Sequence, residues 1–409
     1  MSPSKILKTG CKLFLLTLAG LLLYFNASFY YSPNFEDASN GTYNEDVYHQ
    51  LQHLKGKMHA GAASDMQRLF PEGHLFMNAL YGLAWADFAA PISATVSERE
   101  QPLLTEAHHE IDWALAEMDS PNGRRIFQEK LPLPYGAFYR GWSNYLRAKQ
   151  LEVTASDDRS PTAKARLQAD CDAIANAFGT TEGPYLESYY GGTWPADNVL
   201  AIASLVAYDR TFSTYRYKKT VAEWLAKVQV NLDKKTGLIP HIWFPDQPAQ
   251  SARGSSQSLM LCLLPEIDPT FAKEQFALYE QHFVTTRLGL PGIREYPAGV
   301  DESGDIDSGP VIWGIGGAAS VVGQRAAAAN GQEDLYLGLR NSLEAFGAAH
   351  TLFGEKKYLF GQLPMADAFI AWGNAVEQGP ANGRYPKPWG IHLVSLLFLV
   401  LLGWLIRKL

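Results

Sequence analysis

"PADNVLAIASLVAYD", residues 195–209, opens on a proline, carries Asp197 and Asn198 in its first turn, and then runs small or apolar on nearly every side. A helix at a protein surface keeps one polar face; a helix without one is buried around most of its circumference. The stretch recurs. "PEGHLFMNALYGLAWADF" from Pro71, "PYGAFYRGWSNYL" from Pro134, "GSSQSLMLCLLPEI" from Gly254, "PVIWGIGGAASVVG" from Pro310 and "PMADAFIAWGNAVE" from Pro364 are built alike, at spacings of 54 to 63 residues. Between them lie segments with one apolar stripe and a charged face, among them "YNEDVYHQLQHLKGKM" (43–58) and "LLTEAHHEIDWALAEM" (103–118). Strand-like alternation is rare, so the class is all-α. Six inner helices alternating with six outer ones bury their faces most simply by closing into a ring, an (α/α)6 toroid over residues 40–385. An open solenoid requires polar caps on its end repeats, and the last inner segment, 364–377, has none.

The two ends differ from the body. Leu13–Phe25 is apolar apart from Thr17, and 389–406 is apolar apart from His392 and Ser395, close to the ~20 residues that span a bilayer. Segments 13–31 and 389–406 read as transmembrane helices, with 26–39 and 380–388 as linkers. Lys5, Lys8 and Lys12 precede the first span and Arg407 and Lys408 follow the second. The positive-inside rule therefore assigns residues 1–12 and 407–409 to the cytoplasm and the body to the extracytoplasmic side of an inner or plasma membrane. A cleavable signal peptide is the alternative reading of the first run. The chain carries a net charge of −7, and setting aside those five cations leaves about −12 on the body, which excludes a nucleic-acid groove and a polybasic lipid-binding surface. Of three cysteines, Cys171 and Cys262 sit in apolar helical surroundings; two separate buried thiols are expected, with a disulfide as the alternative.

In such a ring the inner helices run in one direction, so their N-terminal turns converge on one face. "GDIDSGPVIWGIGGAAS" (304–320) brings Asp305 and Asp307 there, with Ser308 suited to cap the helix and Pro310 to its first turn. One acid suffices as a cap; a second adds repulsion unless it meets a ligand or an arginine such as Arg253 or Arg294. "YYGGTWPADN" (189–198) repeats the construction with Asp197 and Asn198 behind Tyr189, Tyr190 and Trp194, whose flat faces suit sugar rings. Acids at helix N-termini have lowered pKa values, so Asp197, Asp305 and Asp307 suit a base or cation-stabilising role. The proton donor is sought in Glu187 or Glu295, in aromatic loops where desolvation raises a carboxyl pKa. The loop 237–258 adds His241, Trp243, Arg253 and Gln257 to the wall, and the first turns of other inner helices add His74 and Tyr135. No cofactor and no metal is expected: "DESGDIDSGPVI" (301–312) has Ile306 and Ile312 where a calcium loop has glycine and glutamate, and "GIGG" (314–317) follows no strand.

The twelve-helix pattern, with "GTWPADN" and "DIDSGP" leading into inner helices, resembles the six-hairpin glycosidase-like toroids. That resemblance implies carbohydrate chemistry by paired carboxylates on a glycan substrate. The same toroid is found in linalool dehydratase-isomerase, which implies a lyase or isomerase acting on an apolar alcohol through ring cysteines; here Cys171 falls on an outer helix. A noncatalytic glycan-binding envelope protein, with the acids as caps and ion pairs, is the third reading.

Overall fold

The computed structural model describes residues 3–38, 41–93, 98–306 and 308–409. In chain order it comprises α1 (Pro3–Ser28), β1 (Phe35–Ala38), β2 (Gly41–Asn44), α2 (Glu45–His59), α3 (Ala62–Leu69), α4 (Gly73–Ala89), α5 (Gln101–Asp119), α6 (Pro121–Arg124) and α7 (Gly136–Val153). Next come α8 (Pro161–Thr180), α9 (Pro195–Phe212), α10 (Lys218–Gln229), α11 (Gly254–Leu261), α12 (Leu264–Ile267) and α13 (Pro269–Phe283). The last third holds β3 (Val284–Arg287), β4 (Leu290–Ile293), β5 (Val311–Ile312), β6 (Ile315–Gly316), α14 (Gly317–Ala329), α15 (Glu333–Phe346), β7 (His350–Leu352), β8 (Glu355–Lys357), α16 (Pro364–Asn374) and α17 (Trp389–Lys408). The chain is mostly helical; the strands form short antiparallel two-stranded hairpins, β1–β2, β3–β4, β5–β6 and β7–β8.

The buried segments behave as their composition dictates. Every residue of α4 except Phe76 is buried, whereas α2 buries the stripe Val47, Leu51, Leu54 and Met58 together with Asp46, Gln50 and His53, and leaves Glu45, Lys55 and Lys57 in part exposed. α4 packs against α7, α7 against α9, α9 against α11, α11 against α14, α14 against α16, and α16 against α4. Their N-terminal ends are tied together by loop hydrogen bonds. Ala137 N donates to Glu187 O at 2.9 Å, Trp243 N to Thr193 O at 3.1 Å and Gly254 N to Glu295 O at 2.8 Å. These bonds link the starts of α7, α9, α11 and α14 along one rim.

Aromatic side chains fill the space between these helices, beginning in the first turns of α4 and α7. Phe76 meets Phe138 and Phe369 at ring-centroid distances of 5.7 and 5.2 Å. Trp142 on α7 reaches Trp372 on α16 at 6.2 Å. Below them Arg325 lies 4.2 Å over the Trp372 ring and pairs with Asp87 of α4 at 2.7 Å.

One inner segment departs from expectation. The helix read from Pro310 begins at Gly317, because 311–316 folds into the β5–β6 hairpin. Ile312 and Ile315 favour a pleated conformation, and Trp313 and Gly314, both at positive φ, make the two-residue turn. Pro310 is therefore outside the first turn, and the Ser308 side chain does not cap the helix. Instead the carbonyls of Pro310 and Ser308 accept from Gly317 N and Ala318 N at 3.0 and 3.1 Å, satisfying donors left open at the N-terminus. The fourth inner segment, read as 254–267, is likewise split into α11 and α12, with Pro265 in the first turn of the second piece.

Helices α1 and α17 are long and apolar enough to cross a membrane, and they pack against each other. Asn26 bridges them through His392 Nδ1 at 2.6 Å and Ser395 Oγ at 2.8 Å. Phe29, Phe25 and Tyr24 meet, in that order, Asn341, Phe346 and Ala349, so α15 runs antiparallel to α1. The ends of the outer helices α13 and α15, and hence the rim, lie on the side from which α1 and α17 leave the body.

Candidate functional site

A polar cluster on the rim gathers around Arg253, which precedes the first turn of α11. Its Nε donates to Glu295 Oε1 at 2.8 Å, while Nη1 and Nη2 hold the two oxygens of Asp305 at 2.7 and 3.1 Å. Ser255 Oγ donates to the same Glu295 oxygen at 2.8 Å, and the Tyr296 ring lies 5.4 Å from the guanidinium carbon. His241 closes the cluster, with Nδ1 at 2.5 Å from Ser256 Oγ and Nε2 at 3.5 Å from Arg253 Nη1. Local geometry fixes these positions. Gly254 has no room for a side chain, since a Cβ there would stand 1.9 Å from the Arg294 carbonyl oxygen. Asp305 and Ser308 brace one another, Ser308 N donating to Asp305 Oδ1 at 3.0 Å and Asp305 N to Ser308 Oγ at 2.9 Å.

The two carboxyls are pushed in opposite directions. Glu295 is fully buried, and burial raises its pKa above the ordinary glutamate value despite Arg253 and Ser255. Among the described residues its second oxygen, Oε2, has no hydrogen-bond partner. Asp305 is half exposed, and its bonds to Arg253 hold it well below the usual carboxylate range. His241 is pushed down to about 3, chiefly by burial and then by Arg253, so its imidazole is neutral at physiological pH. Asp307 lies outside the described residues.

The other expected residues are spread along the same rim or turned away from it. Asp197 is buried in the first turn of α9. Asn198 clips the preceding loop shut, accepting from Leu186 N at 2.7 Å and donating to the Leu186 and Trp194 carbonyls at 3.0 Å each. Glu187 accepts from Gly191 N at 2.9 Å. Tyr189 and Trp194 lie against each other at 4.8 Å, while Tyr190 stands exposed. Trp243 packs on Tyr185 at 5.8 Å, and Gln257 is buried, donating to Ile239 O at 2.6 Å. Tyr135 is flanked by Arg124 and Arg140 at 5.5 and 5.6 Å. His74 faces the outer layer, 3.0 Å from Asn122 and 3.4 Å from the Glu117 carboxylate. Both body cysteines are free and buried, and burial pushes each thiol up to about 12.

Sequence reasoning passed over Ser255, Ser256 and Tyr296, and over the aromatic floor of Phe76, Phe138 and Phe369. The serine pair in "RGSSQS" was the available signal. Beside the cluster an open cleft of about 450 Å³ is lined by Arg287, Arg294, Tyr296, Asp301, Glu302 and Trp313, among others. No group of residues suited to hold a metal occurs among the described residues. No protein-family model matches the chain, and no curated protein is significantly similar to it.

Proposed function

We propose that α4, α7, α9, α11, α14 and α16 close an (α/α)6 toroid anchored to a membrane by α1 and α17, and that the chain is a carbohydrate-active enzyme of the cell envelope working by acid–base chemistry. The packing of the last inner helix, α16, on the first, α4, supports closure. Lys5, Lys8 and Lys12 on α1 and Arg407 and Lys408 on α17 lie at the ends remote from the body, which supports a body on the extracytoplasmic side. The observation that carries the chemistry is the pair Glu295 and Asp305, divided by one arginine and shifted apart in pKa. Such divergence is how two carboxyls come to serve as acid and base at one pH. Glu295 is the donor in this reading and Asp305 the ionised partner, with Asp197 as the further carboxylate of the rim. Glu295 lies beneath the Arg253–Asp305 pair, so a polyhydroxylated ligand that draws Asp305 toward itself uncovers the donor.

A noncatalytic glycan-binding protein is the second reading. It is favoured by the filled interior and by ion pairs that account for Glu295 and Asp305 structurally. A screen of the full-length protein against envelope polysaccharides, with product analysis, separates the two. The enzyme reading expects new products that Glu295→Gln and Asp305→Asn abolish while binding persists; retention of the polysaccharide with no product from the wild-type chain removes it.

A further inference from the structure

Three hairpins turn in the same unusual way. In β3–β4, β5–β6 and β7–β8 the two turn residues are Leu288–Gly289, Trp313–Gly314 and Phe353–Gly354, with φ of +52° and +87°, +53° and +79°, and +54° and +78°. A two-residue turn with positive φ at both positions ordinarily takes asparagine, aspartate or glycine first, because a bulky side chain is strained there. This chain puts leucine, tryptophan and phenylalanine in that place. Phe353 is 95% exposed, and Leu352 and Phe360 beside it are also exposed. At Phe353, burial in the core does not offset that strain.

The surroundings of the tips identify what does. Leu288 lies at the first turn of α17, where Gly390 N donates to its carbonyl at 3.2 Å. β7–β8 leaves α15 beside α1: Tyr24, in the last part of the apolar run, bonds to the Ala349 carbonyl. β7 spans only His350–Leu352 and its partner strand β8 packs on α2, so at about 3.3 Å per strand residue the tip lies within about 10 Å of that contact. Tyr30 just after α1, Tyr385 just before α17 and Trp389 at its beginning are exposed around the body-side ends of these spans, the residue types that populate a membrane interface.

The geometry points to a bilayer-docking surface: the β7–β8 tip, with Leu352, Phe353 and Phe360, enters the lipid interface of the membrane that α1 and α17 span and holds the rim against it. The inference rests on α1 and α17 being spans, and the experiment separates the two ideas. The full chain carrying Cys11→Ser keeps only the buried Cys171 and Cys262; it is given a single accessible cysteine by Phe353→Cys, Phe398→Cys or Tyr215→Cys, labelled in the folded state with a polarity-sensitive fluorophore and reconstituted into vesicles of brominated phosphatidylethanolamine and phosphatidylglycerol. Residue 398 lies within α17, and residue 215 on the loop between α9 and α10, at the opposite end of the body. Quenching at 353 and 398 with none at 215 is the expected result. Quenching at 398 without quenching at 353 overturns the docking surface and leaves the anchor standing. Absence of quenching at both overturns the anchor and the docking surface with it. A label at 353 shielded from an aqueous quencher but untouched by bromine shows a protein contact in place of lipid, which also overturns the proposal.

Discussion

Replacing Arg253 by methionine keeps most of the side-chain volume and removes the cation between Glu295 and Asp305. Glu295 is fully buried and would retain only the hydroxyl and the backbone N–H of Ser255. Breaking a buried pair by removing one partner costs about 3–5 kcal/mol, because the other charge stays desolvated. The Asp305 side is half exposed and adds no more than about 1 kcal/mol, since water replaces the lost contact. The loss depends on pH with a definite sign. With the arginine gone, the folded-state pKa of Glu295 rises further above its ordinary value of 4.5. Between those two values the folded chain holds a proton that the unfolded chain has released. Stability is therefore fully present below the ordinary value and falls as pH rises toward the folded one, by at most about 1.4 kcal/mol per pH unit. Denaturant unfolding of the detergent-solubilised chain at pH 5 and pH 8 should show the larger deficit at pH 8. Adding Glu295→Gln should recover much of it, as expected for coupled neighbours. A deficit equal at both pH values, or below about 1 kcal/mol at pH 8, would refute the reasoning.

Three further outcomes follow from the same contacts. Lys356 is buried between Asp46 at 2.6 Å and Glu344 at 2.8 Å, so Lys356→Met should destabilise by about 3–5 kcal/mol in the same unfolding assay. Trp142→Ala removes a fully buried ring that reaches from α7 to α16 and should cost about 3–5 kcal/mol, detectable as a lowered midpoint of thermal unfolding. Cys171 and Cys262 should resist a maleimide at pH 8 in the folded chain and react once it is denatured, because their thiols are buried and pushed up to about 12; labelling of either in the native protein would contradict their placement.

The helices were legible in the sequence where burial alone dictates them. The segments from Pro71, Pro134, Pro195 and Pro364 begin within two residues of the starts of α4, α7, α9 and α16, because small and apolar residues all round leave no other solution, although their ends differ by up to seven residues. The 311–316 hairpin was not legible, since its turn uses Trp313 where asparagine is the usual signal. Position along a helix also proved a poorer guide to the site than direction around it. His74 and Asn198 lie in first turns as read, yet one points to the outer layer and the other into its own loop; residues a third of a turn apart face different neighbours. Arg253 was read as part of the wall and as a partner for Asp305, whereas its simultaneous hold on Glu295 depends on residues 42 positions apart in the chain, which no local pattern encodes.

Infrared difference spectroscopy of the wild type against Glu295→Gln, followed through a pH titration, tests the account most directly. A protonated-carboxyl band that the substitution deletes, and that survives to a pH above the ordinary glutamate value while Asp305 is already ionised, is the predicted result. A band that titrates at or below that value would mean the two carboxyls are not set apart, and the acid–base reading would fall.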